Sequence, residues 1–147
     1  MSGIVVGVDG SDQSRYALEW AIGEATVHAA PLEVVAVNQV AIDAWGLAPM
    51  HLPNDEKERE QVHAAAQQMV DTEVAQAGDR HPPSVQVKAI TGIPAEVLVD
   101  VSRDADLLVL GPRGAGGFGR LRLGSVTSQV AHHAECPVAI VPAKKHS

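Results

Sequence analysis

Apolar residues follow two alternating rhythms along this chain. Short runs made largely of apolar residues give way to stretches in which they recur every three or four positions. The runs are IVVGV (4–8), LEVVAV (32–37), VQVKAI (85–90), DLLVL (106–110) and PVAIV (137–141). Largely aliphatic runs of that length describe strands covered on both faces. The helical spacing lies between them. Ser11 or Asp12 can cap a first helix with Ala17, Leu18, Ala21, Ile22 and Ala25 on one face, and Pro31 closes that unit. From about Asn54 to Ala77, Val62, Ala66, Met69, Val70 and Val74 form a stripe behind the charged front DEKEREQ. A third helix is predicted over 93–102 with Pro94 in its first turn, and a fourth over about 125–134 with Val126, Val130 and Ala131 inward.

The order βαβαβαβαβ, with connections long enough for right-handed crossovers, predicts an α/β fold. The expected architecture is a single doubly wound parallel five-stranded sheet with helices on both faces, spanning residues 1–147 as one domain. Residues 39–53 form the one connection long enough to be a lid or an interface arm.

Composition narrows this picture. Aromatic residues are only 3% of the 147, so the core must be aliphatic. The net charge of −7 disfavours nucleic acid and anionic membrane surfaces as partners. No apolar run approaches the roughly 20 residues that span a bilayer. The opening MSGIVVGVDGSD has no basic segment typical of a secretory signal, and Cys136 is the only cysteine. A cytoplasmic protein is expected. One local exception to the anionic balance matters: from 107 to 134 there is no acidic residue, while Arg113, Arg120 and Arg122 all fall there.

In open parallel sheets, ligands bind beyond the C-terminal strand ends, where the strand order reverses. Two strand ends here carry distinctive chemistry. The first runs into Gly7-Val8-Asp9-Gly10-Ser11, and the fourth into Gly111-Pro112-Arg113-Gly114, with Gly124-Ser125 opening the last helix. If those strands are neighbours, Asp9 and Gly111 face one crevice; spacing alone does not fix the order. Glycines at 111, 114, 116, 117, 119 and 124 allow the backbone to approach a ligand closely, and exposed N–H groups in such a loop bind anions. The start of the last helix adds free N–H groups and the positive end of its dipole at Ser125, Val126 and Thr127. These features point to phosphate.

Two familiar phosphate loops do not fit. The P-loop lysine is missing, since no lysine lies between Lys88 and Lys144. Residues 114–119 match G-x-G-x-x-G, but they follow the fourth strand and are separated from the helix by Arg120-Leu121-Arg122-Leu123. What remains is Gly111-x-x-Gly114, nine residues, then Gly124-Ser125, together with VGVDGS at the first strand, Gly92-Ile93-Pro94 and the closing CPVAIVP.

This set resembles the universal stress protein family, in particular its ATP-binding branch, along the whole chain. The resemblance implies a Rossmann-like fold, akin to the adenine nucleotide alpha hydrolases, with strand order 3-2-1-4-5. Gly7, Val8 and Asp9 would then border the adenosine, with Asp9 near the ribose and Val37 meeting adenine through its backbone. Leu110 and Gly111 would lie along the ribose and α-phosphate. Gly114, Gly117, Gly124, Ser125, Val126 and Thr127 would hold the phosphates, flanked by Arg113. The implied ligand is ATP, with cyclic AMP as the alternative and Mg²⁺ possible near Asp9. The implied assembly is a homodimer through the last strand, Pro137 to Val141.

Plainer roles stand beside these. Asp9 could cap the first helix and Ser125 the last. Arg120 and Arg122 are as suited to solvent as to phosphate. His132 and His133 are adjacent, point about 100° apart on a helix, and read as surface or interface residues. Cys136 reads as a small junction residue, and Trp45 and Met50 could cover adenine or a partner subunit. A nucleotide-regulated protein without evident catalytic residues is expected, against a slow ATPase or a pure interaction module.

Overall fold

The computed structural model describes residues 3–39, 41–42, 49–50, 55–112 and 124–143. The elements run β1 (Ile4–Val8), α1 (Asp12–Val27), β2 (Leu32–Gln39), β3 (Ala41–Ile42), β4 (Pro49–Met50), α2 (Asp55–Ala77), β5 (Val85–Gly92), α3 (Pro94–Ser102), β6 (Leu107–Leu110), α4 (Ser125–His133) and β7 (Val138–Ile140). The five long-range strands form one sheet in the order β5-β2-β1-β6-β7, every pair parallel. Counting only those five, this is the expected 3-2-1-4-5. Within the segment 39–53, Ala41–Ile42 pairs antiparallel with Pro49–Met50, and Trp45 lies outside the described residues.

Strand alternation sorts the aliphatic runs into two cores. Ile4, Val6, Val8, Val34, Ala36 and Val109 pack under α1 and α2, while Val5, Val35, Leu108 and Leu110 pack under α3 and α4. All five predicted inward residues of α1 are buried. In α2, Ala66 and Val70 are buried, with Val62, Met69 and Val74 packed against them. Gly7 faces the second core. A Cβ there would come within 2.8 Å of Leu110 Cδ2 and 3.1 Å of Leu98 Cδ2, so its glycine identity serves strand-to-helix packing.

The structure departs from expectation at three places. β2 and β5 each run two residues past their apolar cores, because Asn38 pairs in register with Thr91 and Gln39 with Gly92. The Asn38 amide also donates to Thr91 Oγ1 at 3.3 Å. In α4, Ala131 is exposed, and buried Thr127 takes the inward position with Val130. The helical turn sets this: with Val130 inward, the next residue swings about 100° outward and the one three back shares its face. The predicted ends of the fourth and fifth strands and of α4 each shorten by a residue.

Among the described residues one charged side chain is buried, on α2 beside α1. Glu73 of α2 is 4% exposed and lies 3.7 Å from Arg15 Nη1 of α1. Burial pushes its carboxyl above the usual carboxylate range, Glu19 adds to that, and Arg15 opposes it. A carboxyl whose folded pKa is raised contributes stability that is full below its unfolded pKa and lost as pH rises through the folded value. Glu73→Gln is therefore expected to gain stability relative to the parent on going from pH 4 to pH 7 in urea denaturation. A constant difference across that range would show the carboxyl to be fully compensated by Arg15.

Candidate functional site

The two strand ends singled out in the sequence are neighbours. β1 pairs with β6 through Ile4–Leu107, Val5–Leu108 and Val6–Val109, so the chain leaves both strands side by side at the C-terminal edge of the sheet. To one side β1 continues to β2 and α1 crosses one face; to the other, β6 leads to β7 and α4 crosses the opposite face. This is where strand order reverses.

On the β1 side a short network shapes the rim. Gly10 turns with φ +83°, a conformation few residues other than glycine adopt cheaply. That turn folds Ser11 back so that Asp9 Oδ1 accepts from its N–H at 2.9 Å and from its hydroxyl. Ser11 is the N-cap of α1, its Oγ accepting from Ser14 N at 3.2 Å. Ser14 Oγ donates to Ser11 O at 3.0 Å and accepts from Asp9 N at 3.2 Å. Asp9 thus braces the cap without being the cap, and its exposed side chain stands at the mouth of the crevice.

On the β6 side, Gly111 lies against the first turn of α1. A Cβ at Gly111 would come within 3.3 Å of the Gln13 carbonyl oxygen and 3.4 Å of Gln13 Cβ. The Thr127 hydroxyl donates to Gly111 O at 2.8 Å, and Gly124 N donates to Pro112 O at 2.6 Å, so both ends of the glycine-rich loop are tied together. Gly124 is the N-cap of α4 and supplies no side-chain acceptor, and no acid lies in the first turn. The opening amides of α4 keep their positive potential beside the end of β6.

The remaining expected site residues are distributed as follows. Val8 and Leu110 are buried in opposite cores, and Val37 is partly buried toward α3 at the end of β2. Ser125 is exposed and Val126 half-buried on α4. Arg113, Gly114 and Gly117, with Arg120 and Arg122, lie outside the described residues. Among the described residues no cluster of three His, Cys, Asp or Glu could hold a metal ion. His132 and His133 are exposed on α4 with ring centroids 6.5 Å apart. Burial pushes the Cys136 thiol upward, as fits an unreactive junction residue. Sequence reasoning missed Gln13 and the tether from Thr127 to Gly111. The motif marks Thr127 only as a phosphate ligand, and Gln13 belongs to no motif.

The sequence model of the universal stress protein family matches residues 1–142. The chain belongs to the universal stress protein family. A universal stress protein of Mycolicibacterium smegmatis is 34% identical over 139 residues, covering 95% of this chain and 47% of the relative. This universal stress protein thus spans about half the length of the curated relatives it matches. Among solved structures, the universal stress protein UspA from Lactobacillus plantarum aligns with a TM-score of 0.71 at 26% identity, covering 95% of this chain and 97% of its own. A crystal structure of a universal stress protein in complex with cAMP aligns with a TM-score of 0.64 at 26% identity, covering 95% and 94%.

The Thr127 tether is testable apart from any ligand. Thr127→Val keeps the shape but leaves the Gly111 carbonyl without its donor, and is expected to cost about 1–2 kcal/mol in urea denaturation. Thr127→Ser should recover most of it. Equal stability of all three proteins would show that the hydroxyl carries no structural load.

Proposed function

We propose that this universal stress protein binds an adenine nucleotide, ATP foremost, across the adjoining ends of β1 and β6, and that the nucleotide acts as a regulatory ligand more than as a substrate. The observation that carries this reading is the juxtaposition of the Asp9 turn, Gly111 and the side-chain-free start of α4 at one sheet edge. The residues fit such a ligand in kind. Gly7, Val8 and Asp9 would border the adenosine, Val37 the adenine, and Leu110 and Gly111 the ribose and α-phosphate. Gly124, Ser125, Val126 and Thr127 would meet the phosphates with helix amides, joined by Arg113, Gly114 and Gly117 from the loop. Thr127 spends its proton on Gly111 O, so toward an anion it would offer its backbone N–H. Mg²⁺, where it accompanies the phosphates, would sit near Asp9.

Cyclic AMP is the second reading, supported by the relative crystallised with that ligand. It offers the same adenine and ribose with a single phosphate, and would use fewer of the α4 amides. The reading extends to a homodimer through Pro137 to Val141. β7 is the sheet edge on that side and only partly buried, and such an edge invites pairing. It also extends to residues 1–147 acting as one nucleotide-binding domain in the cytoplasm. Among the described residues no helix is long and apolar enough to cross a membrane.

Isothermal titration with ATP and with cyclic AMP, beside mass spectrometry of nucleotide released from the denatured protein, tests the ligand. Saturable binding of one of them is expected, and Gly114→Glu should abolish it with the fold intact, because a carboxylate there both fills the cradle and repels phosphate. No binding of either nucleotide at millimolar concentration would end this reading. A protein that sediments as a monomer would end the dimer reading alone.

A further inference from the structure

We infer that Gln13, in the first turn of α1, is a specificity-determining residue of the nucleotide site, its side-chain carbonyl accepting a hydrogen bond from a ribose hydroxyl. The inference rests on the nucleotide reading and adds to it a residue that no motif marks. Gln13 Oε1 is buried and has no hydrogen-bond partner among the described residues. Buried amide oxygens in native proteins are nearly always paired, since leaving one unpaired forfeits the interaction it had with water. An orphan acceptor therefore calls for a donor from beyond the described residues, and a ligand in the crevice would bring one.

The place of Gln13 says which donor. A Cβ added at Gly111, at the end of β6, would come within 3.3 Å of the Gln13 main-chain carbonyl oxygen and 3.4 Å of the Gln13 Cβ. Two residues before it, Ser11 is held by the Asp9 carboxylate at the end of β1. Gln13 therefore occupies the wall between the two strand ends that the nucleotide would bridge. Of the groups an adenine nucleotide brings there, the phosphates carry only acceptors at neutral pH. The ribose hydroxyls are the donors expected beside Asp9 and Gly111. An amide suits this position better than a carboxylate, because it can accept from the sugar without repelling the neighbouring phosphate.

The other buried oxygen without a hydrogen bond among the described residues, Oε1 of Glu73, differs in having a cation beside it, Arg15 Nη1 at 3.7 Å. The hollow of about 660 Å³ against α3, lined by Gly92, Glu96, Asp100, Arg103, Gln129 and His133 among others, holds none of the expected nucleotide residues.

The test uses the full chain, Gln13→Leu as an apolar replacement of similar length, and titrations with ATP and with 2′,3′-dideoxy-ATP. The parent should prefer ATP, and Gln13→Leu should weaken ATP binding about tenfold while leaving the dideoxy analogue nearly unaffected. The unliganded variant should be as stable as the parent or more so in urea denaturation, because it removes a buried acceptor that nothing satisfies. An unchanged ATP affinity, or equal weakening for both nucleotides, would overturn the inference while leaving the nucleotide reading intact. A less stable unliganded Gln13→Leu would likewise overturn it, by showing the amide to be satisfied within the protein. A parent that binds neither nucleotide would instead remove the reading on which the inference rests.

Discussion

The pairing of β1 with β6 at the centre of the sheet is the constraint on which the remaining architecture depends. β1 pairs on its other side with β2, reached through α1, whereas β6 is reached only after α2, β5 and α3 have been laid down. Crossovers with one fixed hand therefore place α1 and α2 on one face and α3 and α4 on the other. The chain must leave β1 and β6 in opposite directions, and a gap opens between their C-terminal ends. A ligand crevice at that point is a geometric consequence of the strand order, before any particular side chain is considered. Side chains decide what it could hold.

The aliphatic runs revealed the central strands well because parallel strands buried on both faces need no polar alternation. Ile4 through Val8 is buried at every position, and Leu108 through Leu110 likewise. The same signal fails where burial and polarity part company. Asn38 and Thr91 extend their strands through backbone register and an amide-to-hydroxyl bond, which a search for apolar residues passes over. Thr127 replaces Ala131 on the inner face of α4 for a related reason. Its hydroxyl finds Gly111 O across a sequence gap of 16 residues, a partner that helical spacing cannot reveal.

The site itself was legible in part. Asp9, Gly111 and Gly124 announced themselves as glycine-flanked strand and helix ends, and the structure brings all three to one edge of the sheet. The division of labour among them was not legible, because it depends on distances between residues far apart in sequence. Gly7 is a packing glycine under Leu98 and Leu110, and Gly111 is a packing glycine against Gln13. Asp9 braces Ser11, the actual cap of α1. A glycine or an aspartate in a motif marks a place where the backbone is crowded or sharply turned, and more than one neighbour can be the cause.

These local ties bear on how the crevice would receive a ligand. Four residues at the start of α1 reach its neighbours: Ser11 is held by Asp9, Gln13 leaves little room for a Cβ at Gly111, Ser14 closes back on Ser11 and Asp9, and Arg15 reaches Glu73 on α2. On the opposite rim, Thr127 and Gly124 fasten Gly111 and Pro112 to the start of α4. The described parts of both rims are thus tied by bonds internal to the protein, which would reduce the ordering they need when a ligand enters. Binding energy in a site of this kind is left for discrimination, and the groups best placed to discriminate are the few polar atoms that the internal network leaves unused. An internally tied first turn of α1 would hold the Gln13 amide oxygen in place, so that the donor it lacks could come from a ligand.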